Sequence, residues 1–268
     1  MAIEPGWKVT HKSAANLARW DAVCMNELRN VKDKLPALNT EKKLTIIDVG
    51  ANTGTFAELM LKESPYKFER ILLFEPVPLY ARWAAFKFSC LVSDPSIDVM
   101  EYSLSDKKGI GKIAINNRDS NFGWNTMVKD WQKDCSDTIL DVPMVPFDEI
   151  YQTLQFKNGI DLIKIDVEGY EVKVLNGMKE TLMSLEEKPP LVVEIADGSK
   201  HHDMENLQIT LNNLKDLGYI FDDVDKCPKG TFDLVISQPG SVFQGVIEVE
   251  EKEPISKKND LPNSVEEV

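Results

Sequence analysis

Short apolar runs recur along the chain, and each hands over to a segment of helical spacing. Leu44-Thr45-Ile46-Ile47-Asp48-Val49 is the first such run and stops at Gly50. Ile71-Leu72-Leu73-Phe74, the stretch from Ile97 to Ser103, Asp161-Leu162-Ile163-Lys164-Ile165 and Leu191-Val192-Val193-Glu194-Ile195 follow it. Helical character runs from Thr55 to Glu63, from Leu79 to Phe88, from Tyr170 towards Leu185 and from Glu205 to Leu217. Thr53 or Thr55 is placed to cap the first of these helices. Continuous apolar strands that alternate with helices predict a parallel sheet covered on both faces.

The rhythm changes near the end. Tyr219-Ile220-Phe221 and Phe232-Asp233-Leu234-Val235-Ile236 are separated only by a Lys/Pro/Gly turn region, too short for a helical crossover. Two such strands pair antiparallel. The expected fold is therefore α/β, Rossmann-like: a doubly wound, mostly parallel seven-stranded sheet that finishes in a C-terminal antiparallel hairpin. That finish separates it from a dehydrogenase.

Ahead of the first strand, Leu17, Trp20, Val23, Cys24 and Leu28 recur at helical spacing between Trp7 and Leu35, and Pro36 ends the run. One or two helices packed on the main domain are expected here, with a ligand-gripping lid as the alternative. Between Asn116 and Pro146 the pattern gives way to polar and aromatic residues, among them Asn121, Phe122, Trp124, Asn125 and Trp131. A long irregular insertion of this kind is often a lid or substrate loop. The sequence thus divides into a helical extension (1–43), the main domain (44–249) and a tail rich in Glu, Lys, Pro and Ser (250–268) with the composition of a disordered segment.

Charge narrows the partners. The formal net charge is −13, and basic residues are interleaved with acids, so no basic stripe is available to clamp phosphates. A small molecule or glycan is the expected partner rather than nucleic acid. No run approaches the roughly 20 apolar residues that span a bilayer. The N-terminus lacks a basic region followed by an apolar run, so cytoplasmic residence is expected. Cys24, Cys90, Cys135 and Cys227 lie far apart without a CxxC pair, which suits free thiols.

The chemistry gathers where strands hand over to helices. Asp48-Val49-Gly50-Ala51-Asn52-Thr53-Gly54 is a glycine loop opening a helix, and its spacing is GxxxG rather than the GxGxxG of dinucleotide sites. Asp48, Gly50, Asn52, Thr53 and Gly54 are candidate ligand contacts, and the loop suits the amino-acid part of S-adenosylmethionine. Glu75, at the end of the second strand, stands where a carboxylate grips ribose hydroxyls. Asp106, after Ser103-Leu104-Ser105, is placed to accept from an adenine amino group, although Asp before Lys-Lys-Gly is also good turn chemistry. The fourth strand ends in Lys164-Ile165-Asp166-Val167-Glu168-Gly169-Tyr170-Glu171, three acids within six residues. Glu171 suits the first turn of a helix. Asp166 and Glu168 have no such explanation.

These segments resemble the FkbM-type methyltransferases. The resemblance rests on the Asp48–Gly54 loop, Phe74-Glu75-Pro76, Leu104-Ser105-Asp106 followed by Gly109, the block Ile163–Glu171 with Val174-Leu175-Asn176-Gly177, and Val192-Val193-Glu194-Ile195. It extends from about Leu44 to Tyr219. It implies a class I methyltransferase fold and S-adenosylmethionine as donor, with Ser105 and Asp166 joining the donor-site residues. It also implies, commonly, a hydroxyl on a sugar, glycan or polyketide as acceptor.

An alcohol needs help to lose its proton at neutral pH. Asp166 is the expected base or orienting carboxylate, with Glu194 assisting and His202, beside His201, as a further candidate. Should a divalent cation such as magnesium take part, Asp166, Glu168 and Glu194 are its candidate oxygen ligands. Two other classes stay open on the residues alone: a non-catalytic module that keeps a nucleoside pocket, and an NAD-dependent oxidoreductase.

Overall fold

A computed structural model describes residues 11–248 apart from 34, 36–37, 40, 92–94, 117–122, 124, 129–137, 196–200, 223–230 and 240–244. The aromatic residues Phe122, Trp124 and Trp131 and the 250–268 tail lie outside the described residues.

Seven strands form the central sheet: β1 (Lys43–Val49), β2 (Lys67–Phe74), β3 (Ser96–Met100), β7 (Leu162–Ile165), β8 (Leu191–Ile195), β9 (Phe232–Ile236) and β10 (Gly245–Glu248). Their spatial order is β10-β9-β8-β7-β1-β2-β3. The run from β3 to β8 is parallel, whereas β9 is antiparallel to both β8 and β10. The expected doubly wound sheet is present, with one correction at its end. Phe232–Ile236 takes Gly245–Glu248 as its hairpin partner, and the 219–221 segment supplies only an Ile220–Ser237 bridge.

Alternate residues of each strand face opposite layers, which is why the runs are apolar throughout. Ile47, Val49, Ile163, Ile165 and Val193 pack with α5 (Glu171–Asn176), α6 (Lys179–Ser184) and α7 (Met204–Asp216). Leu44, Ile46, Leu162 and Val192 pack with Val31 of α1 (His11–Asp33), Phe56 of α2 (Thr55–Glu63) and Phe88 of α3 (Pro78–Leu91). Leucine, isoleucine and valine buried to this degree each contribute roughly 1.5–3 kcal/mol.

Four further expectations change. The stretch from Ile97 to Ser103 is not one strand: β3 stops at Met100, and β4 (Ser103–Leu104) joins β5 (Gly109–Ile115) and β6 (Thr138–Val145) in a small sheet ordered β4-β6-β5. The expected irregular insertion therefore contains β6, whose outer face leaves Ile139 exposed while Val142 and Met144 are buried. The helix expected after Tyr170 breaks at Gly177. A Cβ there would run into the Ser105 carbonyl, so only glycine lets this turn pack on the strand. Finally, α2 starts behind Gly54 without a side-chain cap, because the Thr53 and Thr55 hydroxyls bond each other at 3.0 Å and Thr55 donates to Asp21.

The N-terminal run is a single helix, α1. Asp21 ties it down. Its buried carboxylate accepts from the Thr55 hydroxyl (2.7 Å) and the Trp83 indole N–H (3.0 Å) and meets the Lys87 ammonium at 3.3 Å. Lys87 in turn pairs with Glu58 at 2.9 Å, so one ionic node joins α1, α2 and α3. Among the described residues no helix is long and apolar enough to cross a membrane. Cys24 and Cys90 are free thiols, and Cys135 and Cys227 lie outside the described residues.

Candidate active site

The chain leaves β1 for β2 and β3, then returns to place β7 on the other side of β1. Open α/β sheets take ligands at such a reversal, beyond the carboxyl ends of the strands. A cavity of about 460 Å³ opens there.

Gly50 makes the geometry feasible. Its φ is +79°, and a Cβ would strike the Asp166 carbonyl oxygen. Asp166 donates its N–H to the Val49 carbonyl at 2.9 Å, and the Gly50 and Ala51 amides both reach the Phe74 carbonyl. The loop then turns through Asn52, also left-handed at φ 51°. The Asn52 amide donates to Glu75 Oε2 at 2.8 Å, and the Val77 amide donates to Glu75 Oε1 at the same distance. Glu75 is thereby fixed at the end of β2 with its carboxylate against the cavity. Burial pushes its pKa up to about 7, although the two N–H donors oppose that rise.

A charged row crosses the floor. Asp48 of β1 stands in register with Lys164 of β7. The Lys164 ammonium is 2.8 Å from Asp166 Oδ2 and 3.8 Å from Asp48 Oδ1, and it lies 5.6 Å from the centre of the Phe56 ring. Burial works against its charge, but Asp166 and Asp48 together hold its pKa above the ordinary lysine value. Asp48 is fully buried, and neither of its oxygens accepts a hydrogen bond from a described residue. Burial raises its pKa to about 6 against the pull of Lys164. Asp166, Glu168 and Glu194 each present an oxygen within 4.8 Å of the others, and Asp233 stands in register with Glu194.

The roof comes from elsewhere in the sequence. Trp20, Cys24, Leu28 and Val31, spaced along one stripe of α1, also line the cavity. Asn125 and Met127 close another side. Their segment is held by the Ala114–Thr126 bridge and by the Thr126 hydroxyl, which donates to the Glu168 carbonyl at 2.6 Å.

Among the residues expected at the site, Asp48, Gly50, Asn52, Thr53, Glu75, Asp166, Glu168 and Glu194 line this one cavity. Gly54, Ser105, Asp106 and His202 do not. Gly54 backs onto Phe88. The Ser105 hydroxyl lies 3.1 Å from that of Tyr170, and Asp106 is spent on an ion pair with Lys173 at 2.8 Å. Ser103 and Leu104 line the cavity at this end instead, because β4 carries them past the tip of β3. His202 packs beside Gly169 and stacks on His201 at 4.6 Å, while His201 is buried against Glu171 at 3.2 Å. Burial and then His201 lower the His202 pKa. Sequence reasoning missed Lys164 and Asp233 as cavity residues, and it put the α1 stripe at a ligand only as the alternative to plain packing. A lysine inside an otherwise apolar strand was the available signal.

The sequence matches the methyltransferase FkbM domain family over residues 48–221. No curated protein matches it. Similar solved structures include the methyltransferase FkbM from Methylobacillus flagellatus, at 18% identity and a TM-score of 0.46. That comparison covers 72% of this chain and 43% of the other, so the chain spans less than half of that relative's length. An S-adenosylmethionine-dependent methyltransferase from Aquifex aeolicus is 12% identical over 88% of this chain and 98% of its own, with a TM-score of 0.44. Fibrillarin from Aeropyrum pernix, solved with bound S-adenosyl-L-methionine, is 15% identical over 79% of this chain and 76% of its own, with a TM-score of 0.45. With Asp48, Glu75 and Asp166 inside the matched segment, the chain belongs to the FkbM family of S-adenosylmethionine-dependent methyltransferases.

Proposed function

We propose that the protein transfers a methyl group to a hydroxyl oxygen of a sugar, glycan or similar small acceptor, with Asp166 as the carboxylate that receives or orients the hydroxyl proton. The observation that carries this reading is the meeting, in one cavity, of the Glu75 carboxylate, the Gly50 loop and Asp166. Glu75 accepts two backbone N–H bonds and keeps lone pairs for ribose hydroxyls. The Gly50–Thr53 loop lines the same cavity, which suits the amino-acid end of the donor. When bound, the donor supplies an electrophilic methyl on a sulfonium. The protein's work is then alignment and proton removal.

On the acceptor side, Asp166, Glu168 and Glu194 present clustered oxygens, which suit a molecule with several hydroxyls. The same cluster favours a second arrangement, in which a divalent cation is held by these three residues. Magnesium takes such oxygen ligands. Activity that survives exhaustive chelation would remove that arrangement.

The test of the main reading uses Asp166→Ala. Wild-type protein and variant are incubated with the donor and a panel of sugars and glycans, and products heavier by one methylene are sought by mass spectrometry. The reading expects the variant still to bind donor and to lose turnover. Undiminished turnover in the variant, or methyl transfer only to nitrogen or carbon acceptors, would refute it.

A further inference from the structure

Lys164 has no task in that reading, yet its position is costly. It is 3% exposed in a strand whose neighbours Leu162, Ile163 and Ile165 are all apolar. Burying an ammonium costs several kcal/mol even after relaxation, and a leucine in its place would cost nothing comparable. A purely structural ion pair would explain the residue if its partners were structural. They are not: Asp48 and Asp166 both line the cavity, and Lys164 reaches it between them.

The reaction itself gives this placement a use. A lone pair on the acceptor oxygen forms the new C–O bond as the S–C bond breaks and leaves its electron pair on sulfur, and the hydroxyl proton passes to Asp166. The donor thus changes from a sulfonium cation to a neutral thioether. Carboxylates that favour the cation in the ground state more than in the transition state slow the step. Asp48 and Asp166, left to themselves, would do so. A fixed ammonium between them removes one of their two negative charges and occupies one oxygen of Asp166, leaving the other for the acceptor.

We propose that Lys164 is a positioning residue for methyl transfer, its buried ammonium clamped between Asp48 and Asp166 so that Asp166 meets the acceptor in one orientation and the acid pair does not trap the sulfonium donor. This rests on the cavity being the donor site, and the test separates the two ideas.

Calorimetric titration measures the affinities of S-adenosylmethionine and of its thioether product, S-adenosylhomocysteine, for the wild-type protein, Lys164→Met and Asp166→Asn. Removing the ammonium uncovers an acid charge, so Lys164→Met should raise the preference for the sulfonium over the thioether by about tenfold. Asp166→Asn should move the same ratio in the opposite direction by a similar factor, because the ammonium then cancels the one acid charge that remains. A residue that only holds the fold would shift both ligands alike and leave the ratio unchanged, which overturns the proposal. Should Lys164→Met fail to fold, the step from Asp166→Asn to the Lys164→Met/Asp166→Asn double variant asks the same question, and a constant ratio across that step is equally fatal. Wild-type protein that binds neither ligand would strike down the donor site itself, and this proposal with it.

Discussion

Gly50 and Asp166 stand back to back at the reversal of the sheet, so close that no Cβ fits between the first and the carbonyl of the second. The contact ties the end of β1 to the end of β7 and sets the spacing between the Gly50 loop and Asp166. Gly50→Ala must move one of these backbones and also hold alanine at a left-handed φ. The expected cost is about 2–4 kcal/mol, read from urea unfolding. An unchanged midpoint would show that the two strand ends are not locked together.

Glu75 links the site to pH. Its pKa is about 7 in the folded protein against an ordinary 4.5. The folded form therefore holds this proton more tightly than the unfolded chain does. Stability from the group is complete below the ordinary value and is lost as pH rises through about 7. Relative to Glu75→Gln, the wild-type protein should lose about 2 kcal/mol of stability between pH 5 and pH 8. A difference that stays flat, or rises, over this range would contradict the burial of this carboxyl as the dominant influence on it.

The strand-and-helix alternation was legible because apolar runs such as Leu44–Val49 and Leu191–Ile195 are buried on both faces, which erases the polar alternation of an exposed sheet. The placement of the Asp48–Gly54 loop and of Glu75 beside one cavity was legible for a related reason: it follows from chain position at strand ends. What could not be read depended on packing between distant segments. The α1 stripe could be read as a packing face or as a lid, and only the node at Asp21 shows which part of the domain it meets. Asp106 sat at the expected distance along the chain, but Lys173, 67 residues later, claims its carboxylate. β6 escaped notice because Pro143 and the exposed Ile139 interrupt an otherwise regular alternation.

The two histidines should respond differently. His201 and Glu171 are both fully buried as a pair, so His201→Ala leaves a buried carboxylate without its partner and should cost about 2–4 kcal/mol in chemical denaturation. His202 lies outside the cavity lining, so His202→Ala should leave donor affinity within about twofold, since it removes no contact to the cavity. A large loss of donor affinity or of turnover in His202→Ala would restore that residue to the chemistry.

Asp21 controls the roof. Asp21→Ala removes the acceptor of Thr55 and Trp83 and leaves Lys87 with Glu58 alone. The α1 helix should loosen, exposing it to protease and lowering donor affinity by about tenfold, because Trp20 and Leu28 no longer close the cavity. Protease resistance equal to that of the wild-type protein would mean that α1 is held by its apolar contacts alone.

The most direct test is a crystal structure of the full chain with S-adenosylhomocysteine. The nucleoside should lie across the strand ends with its ribose hydroxyls on Glu75, its base beside Ser103 and Leu104, and its sulfur directed towards Asp166. A ligand bound anywhere else, or strand ends filled by the protein's own side chains, would contradict the account.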